Sequence, residues 1–182
     1  QTEKLFEVCK MRRIPIITFV NKCDRPGMEP LEVVSNVENK LGIQAVPATW
    51  PLGHGPDFQG IYDLKNKQLH LYKKSEHGTQ KAEAVVTDLE DGLAQTHLSD
   101  TVKDEFREEV MLLEDEFDNM DPEKYKVGEV TPVFFGSALN NFGLDVFMSY
   151  FSHLAPSPKP YPVEDDGKRS IIKPFSGFIF KL

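Results

Sequence analysis

Cysteine is scarce in this sequence: Cys9 and Cys23 are the only two in 182 residues. They fall on what read as different elements and match neither a redox pair nor a metal-ligand set, which predicts reduced thiols and a cytoplasmic protein. Histidine is equally thin. His54, His70, His77, His97 and His153 share no ligand spacing, so no metal site is expected. Positive charge is short as well, with 21 Lys and Arg against 29 Asp and Glu and a formal net charge of −8 at pH 7. Phosphate-backbone binding relies on clustered cations that release counterions, and no basic stripe occurs, so direct DNA binding is not expected. No apolar run has the length of a signal or membrane-spanning helix, and no membrane partner is expected. The first residue is Gln1 rather than Met, and the sequence reads as a fragment of a longer chain.

What is present is enough hydrophobic material, 40% of residues, to bury a core. Leu5, Val8, Cys9 and Arg12 keep a helical spacing that stops before Pro15, and Ile14 to Val20 is a near-continuous apolar run of the kind buried on both faces of a parallel sheet. Pro30 opens a second helix through Leu31, Val34, Val37 and Leu41, with Gly42 placed to end it. A strand from Ala45 to Trp50 is expected next. From Gly53 the pattern changes to an antiparallel hairpin, with Ile61 and Asp63 before a turn at Asn66 and Lys67, then Leu69 and Leu71. Ala82 to Thr87 reads as a further strand, and Ser99 to Asn119 as an acidic helix with Val102, Phe106, Val110 and Leu113 on one face. The α/β alternation returns with a strand over Val130 to Phe135, a turn over Gly136 to Asn141, and a helix from Phe142 to Leu154. Pro156, Pro158, Pro160, Pro162 and Pro174 then mark an extended linker, after which Phe175 to Leu182 reads as the first strand of another domain.

The segment with the most chemical content is Asn21-Lys22-Cys23-Asp24, directly after the first expected strand. Ligands of open α/β sheets bind in the crevice beyond the carboxyl ends of the strands. Guanine presents two parallel donors, N1–H and the exocyclic amine, and a fixed carboxylate such as Asp24 accepts both at once. Adenine leaves that carboxylate unmatched, which is worth discrimination on the order of 10⁴. Asn21 has an amide able to bond the base or the neighbouring loop, and the methylene stem of Lys22 can lie across a purine. The alternative is a polar loop in which Asp24 only caps a turn before Pro26 and Gly27. A second segment, Gly136-Ser137-Ala138-Leu139-Asn140, also follows a strand and is built of small residues that let backbone N–H groups approach a ligand.

Together Asn-Lys-x-Asp and Ser-Ala-Leu resemble the fourth and fifth guanine-binding motifs of GTPases. The long insert between them, the proline-rich linker and the following strand resemble the elongation factor G and release factor 3 group of translational GTPases. Four stretches, Gln1 to Leu5, Thr49 to Gly53, Thr131 to Ala138 and Phe175 to Lys181, resemble the release factor 3 branch. The fold implied is a partial P-loop GTPase-type α/β domain with a mostly parallel sheet. It would occupy residues 1–52 and 128–156, carry an inserted α+β subdomain over 53–127, and lead through a linker at 157–174 to the start of a β-barrel domain at 175–182. The resemblance implies Asn21, Lys22, Asp24, Ser137, Ala138 and Leu139 as the nucleotide-binding set. In it the N–H of Ala138 donates to guanine O6, Ser137 braces the loop against Asp24, and Leu139 packs alongside.

By the same resemblance the ligands are GTP and GDP, and the partner is the ribosome, including its stalk protein through the insert. Class I release factors are affected indirectly, by dissociation after peptide release. No Gly-rich phosphate loop and no Asp-x-x-Gly switch occur in this sequence, so magnesium and phosphate ligands are expected outside it. No catalytic residue is assigned, and the chain by itself is predicted not to hydrolyse GTP. Two alternatives remain open: the same part of an elongation factor G-like or ribosomal protection GTPase, and a non-enzymatic module that binds protein through its acidic insert. The acidic helix reads either as a solvated face or as a docking surface.

Overall fold

A computed structural model of the chain describes residues 2–72, 84–157, 161–163 and 167–169, the last two segments by backbone alone. In chain order the elements are α1 (Thr2–Met11), β1 (Thr18–Val20), α2 (Pro30–Leu41), β2 (Gln44–Pro47), β3 (Thr49–Leu52), β4 (Gly60–Asp63), β5 (Gln68–Tyr72) and β6 (Ala84–Thr87). They continue with α3 (Leu89–Ala94), α4 (Asp100–Leu113), α5 (Pro122–Val127), β7 (Val130–Phe135), α6 (Leu144–Leu154), β8 (Tyr161–Val163) and β9 (Gly167–Arg169). A single 3₁₀ turn, Gly55–Asp57, lies between β3 and β4.

The chain is a mixed α/β structure. Its parallel sheet has the order β1-β7-β2, with Val20 opposite Phe135 and Ala45 opposite Thr131. All six residues of β7 are buried, which is what an apolar strand between two neighbours should show. β1 is shorter than the expected Ile14 to Val20 run and only half-buried. Among the described residues it pairs with β7 alone and so forms an edge of the sheet, where a continuous apolar run implies a neighbour on both sides. The α2 boundaries follow the sequence closely: Pro30 is in its first turn, and Gly42 ends it at φ 63°, donating its N–H to the Glu38 carbonyl at 2.8 Å.

The expected strand from Ala45 to Trp50 is two strands in two sheets. β2 runs parallel to β7, whereas β3 pairs antiparallel with β4 at the edge of a four-stranded sheet ordered β3-β4-β5-β6. Ala48, fully buried, makes the exchange: its N–H donates to Val133 in one sheet at 2.8 Å, and its carbonyl accepts from Leu64 in the other at 3.2 Å. A fully buried peptide must satisfy both groups, and here it does so by belonging to both sheets. The antiparallel sheet therefore starts at Thr49, ahead of the boundary expected at residue 52.

The acidic helix is shorter than expected. α4 starts after Ser99, whose hydroxyl accepts from the Val102 N–H at 3.4 Å, and ends at Leu113 rather than Asn119, the remainder forming turns. α3 and α5 were not legible as helices because each has six residues, too few for a periodic signal. α6 begins at Leu144, after Gly143 at φ 76°, rather than at Phe142. β8 and β9 pair within the segment expected as a linker, where the proline pattern concealed an antiparallel contact. The expected barrel strand, 175–182, lies outside the described residues, as do 82 and 83 of the strand expected before α3.

The antiparallel sheet is not a loosely tethered appendage. One cluster joins Trp50, Leu52, Tyr62, Leu69, Phe106 and Val110 to Val133 and Phe135 of the central parallel strand. A second packs Val46, Val130 and Phe134 against Phe19, Phe147 and Tyr150 on the opposite face. Burial of this kind contributes about 25 cal/mol for each Å² of apolar surface removed from water. No described helix is long and apolar enough to cross a membrane.

Candidate functional site

Because β1 and β7 are parallel neighbours with Val20 opposite Phe135, the loops that follow them leave the sheet side by side at its carboxyl edge. The backbone then ties the two together. Gly136 N–H donates to Val20 O at 3.0 Å, and Cys23 N–H donates to Gly136 O at 3.1 Å. Gly136 is required here by space. A Cβ on it would run into the Phe142 carbonyl and approach the Phe19 ring to 2.9 Å.

Asn21 holds the first loop in shape. Its Oδ1 accepts from the Lys22 N–H at 2.8 Å and from the Ala138 N–H at 2.9 Å, one bond inside its own loop and one across to the second. Lys22 takes a left-handed conformation at φ 70°, a strained region for a residue with a Cβ, held by its own loop. Its carbonyl accepts from Arg25 at 3.0 Å, and the Cys23 carbonyl accepts from Gly55 at 2.8 Å, which fastens the loop to the turn after β3. The Cys23 thiol points inward and donates to Val20 O at 3.4 Å. Burial pushes its pKa up to about 11, with the Asp24 carboxylate adding to the rise and the bond from Gly136 opposing it, so the thiol stays protonated at neutral pH.

The second loop is anchored by Ser137, only 1% exposed, whose N–H and carbonyl both pair with Phe142 at 2.9 Å. Its hydroxyl meets Asp24 through a third residue. Asn140 Nδ2 donates to Ser137 Oγ at 3.2 Å and to Asp24 Oδ2 at 3.2 Å. Leu139 stands 66% exposed beside them, a large apolar side chain left in solvent at the mouth of the site.

The structure thus brings together Asn21, Lys22, Asp24, Ser137, Ala138 and Leu139 on two adjoining loops. Two details differ from the sequence expectation. The brace from Ser137 to Asp24 runs through Asn140, and the Ala138 N–H is engaged by Asn21. Asn140 was inside the second segment but not in the expected set, since a single polar residue in a loop gives no sign of what it touches. A cavity of about 110 Å³ adjoins the first loop, lined by Asn21, Lys22, Arg25, Met28, His54 and Phe135 among others. Asp24, Ser137, Ala138 and Leu139 do not line it, so it lies where the first loop meets α2 and the antiparallel sheet.

A parallel sheet with two polar loops joined at its carboxyl edge, one bearing Asn-Lys-x-Asp and the other Ser-Ala-Leu, defines a nucleotide-binding class of α/β domain. The chain matches the model of the elongation factor Tu GTP-binding domain over residues 1–157 and belongs to that family. It is 41% identical over its whole length to peptide chain release factor 3 of Acaryochloris marina, and equally so to the proteins of that name from Gloeothece citriformis and Nostoc punctiforme. The chain spans about a third of the length of these relatives, 34% in each.

Proposed function

We propose that this chain forms the guanine-reading part of the nucleotide site in a translation termination GTPase, one that acts on the ribosome in the cytoplasm and promotes dissociation of class I release factors. The observation that carries the base-reading part is the placement of the Asp24 carboxylate, held by Asn140 at the mouth of two loops that Asn21 ties together. A carboxylate with one oxygen fixed is pre-organised to accept two parallel donors, and guanine is the purine that supplies them. Family membership and the likeness to release factor 3 proteins support the wider reading.

In this reading Lys22 covers the purine with its stem, Leu139 shields the edge of the base, and a bound guanine O6 competes with Asn21 Oδ1 for the Ala138 N–H. GTP and GDP are the ligands, and no magnesium ligand or catalytic group is assigned to any residue of this chain. The nucleotide domain comprises the parallel sheet with α1, α2 and α6, and the inserted subdomain begins at the Ala48 exchange and returns at β7. Of the acidic residues on and just after α4, Asp104 is bonded to Arg107, Glu109 to Trp50 and Glu114 to Lys67, while Asp100, Glu105, Glu108, Asp115, Glu116 and Asp118 are exposed carboxylates open to any basic ribosomal partner.

The test is competition between guanosine and xanthosine diphosphates in the full-length protein, wild type against Asp24→Asn. Xanthine carries an acceptor where guanine carries the exocyclic amine. The substitution is expected to exchange a preference for guanine for one for xanthine. An unchanged preference removes Asp24 from base recognition and the guanine reading with it.

A further inference from the structure

Asn140 lies outside the set that the sequence motifs single out, yet it is the side chain that holds the Asp24 carboxylate. Its amide orientation follows from its neighbours: an ionised carboxylate only accepts, so the atom facing Asp24 Oδ2 at 3.2 Å must be the donor Nδ2. The same nitrogen donates to Ser137 Oγ at 3.2 Å, and Ser137 is 1% exposed and locked to Phe142 by two backbone bonds. Both N–H groups of the amide are therefore used, one on a rigid anchor and one on the carboxylate. The anchor is built into the sheet end; the carboxylate is half-buried and has no other side-chain donor among the described residues.

We infer that Asn140 is a positioning residue for purine discrimination, fixing the rotation of the Asp24 carboxylate so that both oxygens face two parallel donors of the base. The inference rests on the guanine reading above and adds to it a specificity determinant. A carboxylate free to turn still accepts one hydrogen bond from N1–H. It accepts two, from N1–H and the exocyclic amine together, only when its plane is set. The bond to Oδ2 leaves Oδ1 and the remaining lone pair of Oδ2 for the ligand, which is the number that guanine needs. Loss of Asn140 should thus fall more heavily on guanine than on a base with a single donor.

Inosine diphosphate is such a probe, since hypoxanthine keeps N1–H and O6 and lacks the amine. In the full-length protein, Asn140→Leu keeps the size of the side chain and removes both donors. GDP affinity is expected to fall on the order of tenfold and inosine diphosphate affinity by distinctly less, so that the GDP to IDP ratio shrinks. Asn140→Asp, which sets an acceptor and a second charge against Asp24, is expected to shrink the ratio further. An equal loss for both nucleotides, or no loss for either, overturns the inference, because a residue that merely shapes the loop would not sense the amine. Melting curves of each variant identify misfolding, which would lower both affinities together and so count against it as well. Asp24→Asn in the same assay separates the two ideas. If it exchanges guanine for xanthine while Asn140→Leu leaves the GDP to IDP ratio intact, only the role of Asn140 falls; if it does not, the base reading falls and this inference with it.

Discussion

The side-chain oxygen of Asn21 accepts the backbone N–H of Ala138 at 2.9 Å, joining two loops that are 117 residues apart in the sequence. It also accepts from Lys22 at 2.8 Å, so one amide sets the shape of the first loop and its distance from the second. Replacing Asn21 by Ala frees the Ala138 amide. Its hydrogen exchange is expected to speed up by roughly tenfold or more, with a stability loss of about 1 kcal/mol. Exchange measured residue by residue checks this, and an unaltered rate at Ala138 would show that the bond does not persist in solution.

The only tryptophan, Trp50, is fully buried in β3 and donates its indole N–H to Glu109 Oε2 of α4 at 2.8 Å. The bond crosses from the antiparallel sheet to the helix packed on it, where Phe106 and Val110 belong to the same cluster as Trp50. Glu109→Leu would leave a buried donor unsatisfied, at a cost of about 1–3 kcal/mol. Glu109→Gln keeps an acceptor and should lose less. Urea unfolding followed by the fluorescence of Trp50 measures both, and equal midpoints for the two variants would contradict the bond.

His70 in β5 is 9% exposed, and neither ring nitrogen has a hydrogen-bond partner among the described residues. Burial pushes its pKa below the ordinary 6.5, and the carboxylates of Asp145 on α6 and Asp63 on β4 oppose that shift without overcoming it. Below about pH 6.5 the unfolded chain takes up a proton that the folded chain refuses, so stability falls as pH drops from there toward the folded-state pKa. His70→Leu removes the titration and the two unpaired nitrogens. It is expected to hold or gain stability near pH 7 and to flatten the loss of stability as the pH falls below about 6.5. Urea midpoints across that range provide the measurement, and parallel pH curves for the two proteins would refute the assignment.

Near the site, the sequence was a good guide wherever the signal was local. The run from Val130 to Phe135 identified the central strand, Pro30 and Gly42 bracketed α2 to the residue, and the two loop motifs sat at strand ends as expected. It misled where burial depended on neighbours. Ile14 to Val20 has the composition of an interior strand, yet only Thr18–Val20 is a strand, and it is half-buried at the sheet edge, flanked among the described residues by β7 alone. The run from Ala45 to Trp50 looked like one strand because alternation reports that a residue is extended, never which sheet receives its hydrogen bonds.

The sequence by itself determined the α/β alternation, the two polar loops and the residue types in them, since periodicity and turn chemistry are properties of neighbours a few positions apart. Tertiary structure alone decided that Ala48 divides its peptide between two sheets, that Trp50 finds Glu109, and that Asp24 is held by Asn140 across 116 residues. Such pairings arise when packing brings distant segments within about 3 Å, and a hydrogen-bonding group carries no mark of its partner until that packing has formed.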